Sequence, residues 1–435
     1  MQVNRWNPEL RRWLVEASRA AGFDAVGIVE VRGLDDPAVA QQAELFSSWI
    51  DAGHAGEMDY LKRRDEAGTL VRGNLRVAMP WARSAIVCAM NYNFVASSVR
   101  SEDRSPRSTP PRSIDPAPPG SVWIARYAWT GHTLDDGSSA PTDYHVDLLS
   151  RLRAIDVELL ARAACTTRCY VDTGPLVERS LAAVAGIGWI GKNTCLISQQ
   201  LGSWLLLGVL VTSLPMELAE ELKAEQAREV KSARVASSLV IPAVIHSALE
   251  INADLIDVSS VYPAEFQAPD RCGTCTRCID ACPTGALLGS RSPDAPRTMD
   301  ASRCIAYLTI EKKGPIDPSL RAPMGRQVFG CDICQDVCPW NRRAPIAESE
   351  SIQPRSELIN PPLDWLAAMD ASQFKRLFKG SPLERTGRKR LLRNVAIAMG
   401  NSGEARFVPQ LDEWAVGDDP VLADAAAWAR SRLLA

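Results

Sequence analysis

Eight of the twelve cysteines in this chain fall between Arg271 and Asn341, and their spacing is that of ligands to iron–sulfur cubanes. The first run, Cys272, Cys275, Cys278 and Cys282, leaves two, two and three residues between cysteines and carries Pro283 after the last. Cys304 follows alone, and Cys331, Cys334 and Cys338 then repeat the pattern with Pro339 behind them. Two-residue gaps let successive thiolates reach different irons of one cubane, while the fourth cysteine starts the next turn and ligates the other cluster. On that pattern one [4Fe-4S] cluster takes Cys272, Cys275, Cys278 and Cys338, and the second takes Cys304, Cys331, Cys334 and Cys282. The implied chemistry is one-electron transfer at low potential. Structural zinc is the alternative use of paired CxxC motifs, but zinc sites rarely carry eight cysteines in two such halves.

The elements that must hold these ligands belong to a chain of 435 residues, long enough for two to four domains. A hydrophobic share of 46% and a charged share of 23% are those of a globular protein. The net charge of -3 predicts no general affinity for polyanions, so nucleic-acid contact requires a local basic patch. No signal-peptide pattern opens the chain, and no segment reaches the roughly 18 apolar residues that span a bilayer, so a cytoplasmic protein without membrane contact is expected. Cysteines there stay reduced, which favours metal ligands over disulfides. The remaining Cys88, Cys165, Cys169 and Cys195 are expected to be small buried apolar residues.

Upstream of the cysteines the pattern is α/β. Helices are expected from Leu10 to Ala21, Pro37 to Ala52, Asp143 to Ala164 and Glu178 to Ala185, with strands at Asp24–Val31, Ser84–Met90, Val122–Trp129 and Trp204–Thr212. A charged helix over 216–231 and an apolar pair of uncertain type over 237–257 come next. Gly186, Gly188 and Gly191 fit GxGxxG, but they follow a helix and not a strand, so they are no dinucleotide fingerprint. Their density instead suits close approach of backbone to a ligand. Asp172 stands where a strand leaves for the turn at Thr173-Gly174, and from the residues alone it reads as a turn-capping aspartate. After a polar linker over 342–362, the chain reads as helical, with helices near 362–378, 388–399, 407–416 and 420–434, paired as in HEAT-like repeats.

Several motifs, in order, resemble the epoxyqueuosine reductase family. They are Arg126–Trp129 with Asp143-Tyr144-His145, Val171–Arg179, Ala185–Thr194, Gly202-Ser203-Trp204, the cysteine runs, Arg303–Thr309, Cys338–Asn341, and Gly380–Pro382 with Gly400-Asn401. The resemblance implies an α/β N-terminal cobalamin-binding region over 1–262, with inserts near 97–120, 133–142 and 217–262. A bacterial two-[4Fe-4S] ferredoxin-like domain over 263–345 and an all-α HEAT-like C-terminal module over 346–435 complete the expectation. It also implies an oxidoreductase that reduces epoxyqueuosine to queuosine at the tRNA wobble position.

Cobalamin is implied by the resemblance alone, in a base-off form, because Asp143-Tyr144-His145 begins like the DxHxxG signature but has Leu148 where glycine is needed. Opening an epoxide leaves an alkoxide, so a general acid is required. By family position it is Asp172, whose pKa is expected to be raised by desolvation. The same resemblance puts Lys192, Asn193, Thr194, Cys195 and Leu196 along the corrinoid, Ala306, Cys331 and Asp332 where the second cluster approaches it, and Arg76 as a further contact. His54, His132, His145 and His246 are expected to be structural or exposed, and Trp123, Trp129, Trp189 and Trp204 to be core residues. Lys375, Arg376, Arg388, Lys389 and Arg390, in a basic stretch that also holds Lys379, Arg385 and Arg393, are expected to hold tRNA phosphates. The expected partners are tRNA bearing epoxyqueuosine and a low-potential electron donor, with the protein a monomer. Two rivals share features with this reading. A corrinoid reductive dehalogenase has the same cofactors but has no need of a basic helical tail, and a ferredoxin-type electron carrier has no need of the large upstream region.

Overall fold

The computed structural model describes residues 3–94, 120–135, 139–216, 270–290, 292, 297–349 and 352–435. The inserts near 97–120 and 217–262, with the helix expected over 216–231 and the apolar pair over 237–257, lie outside the described residues apart from Gly120 and Met216.

The upstream region is built on a four-stranded sheet of β1 (Ala25–Glu30), β2 (Ser84–Asn91), β3 (Thr167–Tyr170) and β4 (Leu205–Thr212), in the order β1-β2-β4-β3. Every pairing is antiparallel, with Val87 opposite Val209 at the centre. All eight residues of β2 are buried, which is why its sequence is continuously apolar instead of alternating. Ile86, Cys88, Met90, Leu206 and Leu210 face a core shared with α1 (Pro8–Ala20) and α3 (Tyr144–Arg162). Val87, Ala89, Val209 and Val211 face the other way, toward α4 (Glu178–Val184). Gly27 of β1 lets α4 press close, since a Cβ there would stand 2.3 Å from the Ala185 carbonyl oxygen. Between α1 and α3 in sequence, α2 (Pro37–Asp51) starts at an Asp36 cap with proline in its first turn.

The cysteine-rich stretch carries α5 (Arg277–Ala281), α6 (Ile305–Ile310) and a short helix Ile333–Asp336. It is stitched to the sheet region by polar contacts. The Ser203 amide donates to Asn341 Oδ1 at 2.7 Å, and the Arg126 amide donates to Asp332 Oδ2 at 2.7 Å. The C-terminal residues form Leu363–Ala367, Ala371–Phe378, α7 (Gly387–Ser402), α8 (Val408–Ala415) and α9 (Pro420–Leu434). Side chains from all three stretches, among them Leu148, Leu308 and Val395, share one hydrophobic cluster.

Three local expectations are corrected. The helix expected over 362–378 is broken, because Asp370 and Gln373 form a reciprocal cap that starts a new helix. The stretch over 342–362 is not a free linker. Gln353–Pro354 pairs with Thr130–Thr133, and the Arg355 amide donates to the Trp129 carbonyl at 2.8 Å. In the insert near 133–142, the described Ser139–Pro141 pairs with Thr130–Thr133 as a small ribbon where only a polar turn is expected. Among the described residues no helix is long and apolar enough to cross a membrane.

Candidate active site

None of the twelve cysteines is paired in a disulfide. Cys272, Cys275, Cys278 and Cys338 line one cavity of about 260 Å³, the grouping that the spacing assigns to one cluster. Cys331 feels the charges of Cys304 and Cys282, and Cys334 those of Cys331 and Cys304, so the other four are also neighbours. Four cysteines at each of two places are the donor set that two cubanes require.

Asp172 follows β3 in a left-handed conformation, φ 54°, which an aspartate tolerates in a turn. Its amide donates to Glu178 Oε1 at 2.7 Å, tying the turn to the start of α4. Its Oδ2 accepts the Tyr144 hydroxyl at 2.5 Å and stands 3.3 Å from His145 Nε2. Both partners come from the first turn of α3, where the Asp143 cap accepts the His145 amide at 3.0 Å and its Oδ1 lies 2.8 Å from His145 Nδ1. Arg385, from the segment just before α7, reaches back to donate to Asp143 Oδ2 at 2.6 Å and lies against the imidazole.

The electrostatics reverse one expectation. Burial would raise the Asp172 pKa, but hydrogen bonds from His145, Glu178 and Tyr144 outweigh it and hold the carboxyl well below the usual range. The raised carboxyl is the neighbour: burial, then the charge on Asp172, push Glu178 up to about 9. For His145, burial opposes the charged ring, yet the hydrogen bonds to Asp143 and Asp172 prevail and raise its pKa. Asp172 and Arg179 are exposed although densely surrounded by protein, as side chains on the wall of a concavity are.

Lys192, Asn193, Thr194 and Cys195 form the tip of a hairpin between Trp189–Ile190 and Leu196–Ile197. The tip bridges the two halves of the site. Arg179 Nη1 donates to the Thr194 carbonyl at 2.9 Å, and its charge reaches Asp172, Cys195 and Cys334. Lys192 is buried, with Nζ donating to the Gly273 carbonyl at 2.6 Å, and both it and Asn193 line the Cys272 cavity. Leu196 is buried beneath the tip. Ala306 lies in the first turn of α6, two residues after Cys304, and Asp332 is buried beside Cys331. Arg76 stands near Gly33 and Asp35, whereas Arg72 is the arginine whose charge reaches Asp172 and Glu178.

His145 departs from its expected structural role, because the Asp143 cap two residues before it aims the ring at Asp172. Spacing alone does not pick out Glu178 or Arg72, since their contacts with Asp172 are made only by the fold. Trp129 and Trp204 are core residues as expected, with the buried Arg126 guanidinium 4.1 Å over the Trp204 ring.

Of the basic C-terminal residues, Lys375, Arg376 and Lys389 are exposed. Arg388 donates to the Met369 carbonyl at 2.7 Å and Arg390 to those of Thr386, Ile310 and Arg385, so these two are tied to backbone.

Comparison with known proteins gives two family matches. A 4Fe-4S double cluster binding domain covers residues 271–341, and a family described as epoxyqueuosine reductase QueG, DUF1730, covers residues 72–173. An epoxyqueuosine reductase from Xanthomonas campestris pv. campestris is 31% identical over 419 residues, covering 95% of this chain and 93% of that one. One from Pseudomonas aeruginosa is 32% identical over 389 residues, covering 88% and 83%. A solved epoxyqueuosine reductase with an epoxyqueuosine-modified tRNA-Tyr stem loop is similar at TM-score 0.67 and 25% identity, covering 98% of this chain and 91% of that one.

Proposed function

Because the chain belongs to the epoxyqueuosine reductase family, we infer that its cluster cysteines and its Asp172 site together reduce the epoxide of epoxyqueuosine at the tRNA wobble position to the alkene of queuosine. The observation that carries this reading is the place of Arg179, whose Nη1 donates to the Thr194 carbonyl and whose charge reaches both Asp172 and the cluster ligand Cys334. Electrons enter at the two clusters from a low-potential donor, and the carboxyl at Asp172 delivers a proton to the oxygen that leaves carbon.

A corrinoid would fit beside Asp172 without taking His145 as a ligand, since both ring nitrogens of His145 are engaged by Asp143 and Asp172. When bound, it supplies low-valent metal chemistry for breaking a carbon–oxygen bond. Arg179 and Thr194 would hold it beside Asp172, with Ala306 and Asp332 on the side of the second cluster. The labour divides along the chain: the sheet region for chemistry, the cysteine stretch for electrons, and the C-terminal helices, HEAT-like in their pairing, for tRNA. The protein acts as a cytoplasmic monomer.

The test is direct. Anaerobically purified protein, reconstituted with iron, sulfide and cobalamin and reduced by dithionite, converts an epoxyqueuosine stem loop to a product lighter by one oxygen. No conversion by protein with full iron and cobalt content would reject the reading. Two variants check the parts. Cys278→Ser retains about half of the iron, because one cubane loses a ligand while the other keeps all four; full iron content would contradict the assigned ligand set. Lys375→Glu with Lys389→Glu weakens stem-loop binding and lowers the slope of log affinity against log salt by about one per lysine. An unchanged slope would remove these lysines from the interface.

A further inference from the structure

Reduction of the epoxide consumes two electrons and two protons: both carbon–oxygen bonds break, a carbon–carbon double bond forms, and the oxygen leaves as water. The clusters and their external donor supply the electrons, so the site must supply protons. Asp172 is poorly suited to storing one. Its carboxylate accepts the Tyr144 hydroxyl and faces the His145 ring, two contacts that favour the ionised form. One further carboxyl touches it. Glu178 Oε1 accepts the Asp172 amide at 2.7 Å, which sets the two carboxyl groups side by side. Two carboxylates this close disfavour double ionisation, so the pair tends to hold one proton, and the donors on Asp172 leave Glu178 to carry it.

We propose that Glu178 holds the proton that Asp172 passes to the departing oxygen, so that the acid of this site is the Asp172–Glu178 pair. This rests on the reading of Asp172 above and deepens it. The charged groups facing Glu178 are Asp172 and Arg72. Those facing Asp172 are His145 and Tyr144 from α3, Arg179 from α4, Arg72 and Tyr60 from the segment before β2, and Tyr127. Arg385 acts on it through His145. With burial and the Asp172 charge holding Glu178 near 9, the pair keeps its proton across neutral pH and loses it above that value.

Glu178→Gln tests the role. The amide still accepts from the Asp172 backbone and still donates to its carboxylate, but it cannot release a proton. In single-turnover reactions of reconstituted, reduced enzyme, the parent rate should fall only above about pH 9, whereas Glu178→Gln should be at least about tenfold slower at pH 7 and lack that limb. Glu178→Asp should restore a basic limb, and stem-loop affinity should be unchanged in both. A Glu178→Gln profile superimposable on the parent's overturns the proposal, as does a parent profile whose basic limb lies near pH 4 to 5. Failure of the underlying reading is a separate result, an active Asp172→Asn, whereas inactive Asp172→Asn beside a parent-like Glu178→Gln sinks Glu178 alone.

Discussion

Asp172→Asn is expected to bind both clusters, cobalamin and the stem loop like the parent and to turn over about a hundred- to ten-thousand-fold more slowly, the usual loss when a general acid is removed. The amide is isosteric, so the turn at φ 54° and the tie from the backbone amide to Glu178 persist. The lost property is the ability to take a proton from Glu178 or His145 and give it to oxygen. Because His145 and Tyr144 both meet Oδ2, the carboxamide can keep both contacts by turning its oxygen to that side, so the substitution removes the proton and not the network. Iron and cobalt content, stem-loop affinity and single-turnover rate, measured on one preparation, separate chemistry from assembly. Near-parent turnover would remove Asp172 from the reaction, and loss of iron would mean that the substitution acts through folding.

Arg393→Met is expected to destabilise the protein by about 3–5 kcal/mol, the cost of breaking a buried charged network by removing one partner. Arg393 on α7 is 1% exposed and donates to the carbonyls of Leu308, Lys312 and Gly314 at 2.6–2.7 Å. Beside it, Asn394 donates to the carbonyls of Thr309 and Val328, both at 2.9 Å, and Arg390 to Ile310 at 2.6 Å. Leu308, Thr309 and Ile310 end α6, where the last carbonyls of a helix have no partner within it. Side chains of α7 therefore cap α6, and positive charge at a helix C-terminus is favourable. Since Cys304 is the residue at the N-cap of α6, the substitution should also loosen a ligand of the second cluster. Anaerobic urea unfolding and iron content read both effects. A stability within about 0.5 kcal/mol of the parent, as for a surface site, would contradict the capping role.

The same residues show how legibility divides. In sequence, the run from Arg388 to Arg393 reads as one basic face for nucleic acid. In the fold, Lys389 reaches solvent, while Arg390 and Arg393 close the end of a helix some 80 residues upstream. Side-chain type says what a residue can bond to, but burial decides whether its partner is phosphate or a carbonyl oxygen. The sheet strands were legible for the opposite reason, since β2 is buried on both faces and its apolar run announces that directly.

The cluster ligands, the apolar strands, the capped helices and the position of Asp172 at the end of a strand are properties of contiguous sequence, because each depends on neighbours a few residues away. The sequence by itself therefore determined that this protein carries two cubanes, and its motifs singled out Asp172 as the carboxyl proposed to act with them. Only the tertiary structure decided how that carboxyl is charged. Tyr144 and His145, Glu178, Arg72 and Arg385 reach the Asp172 neighbourhood from four separate places in the chain, and a pKa is set by the total of such contacts and not by any one of them. That is why burial, expected to raise the pKa of Asp172, is overruled there and instead raises that of Glu178.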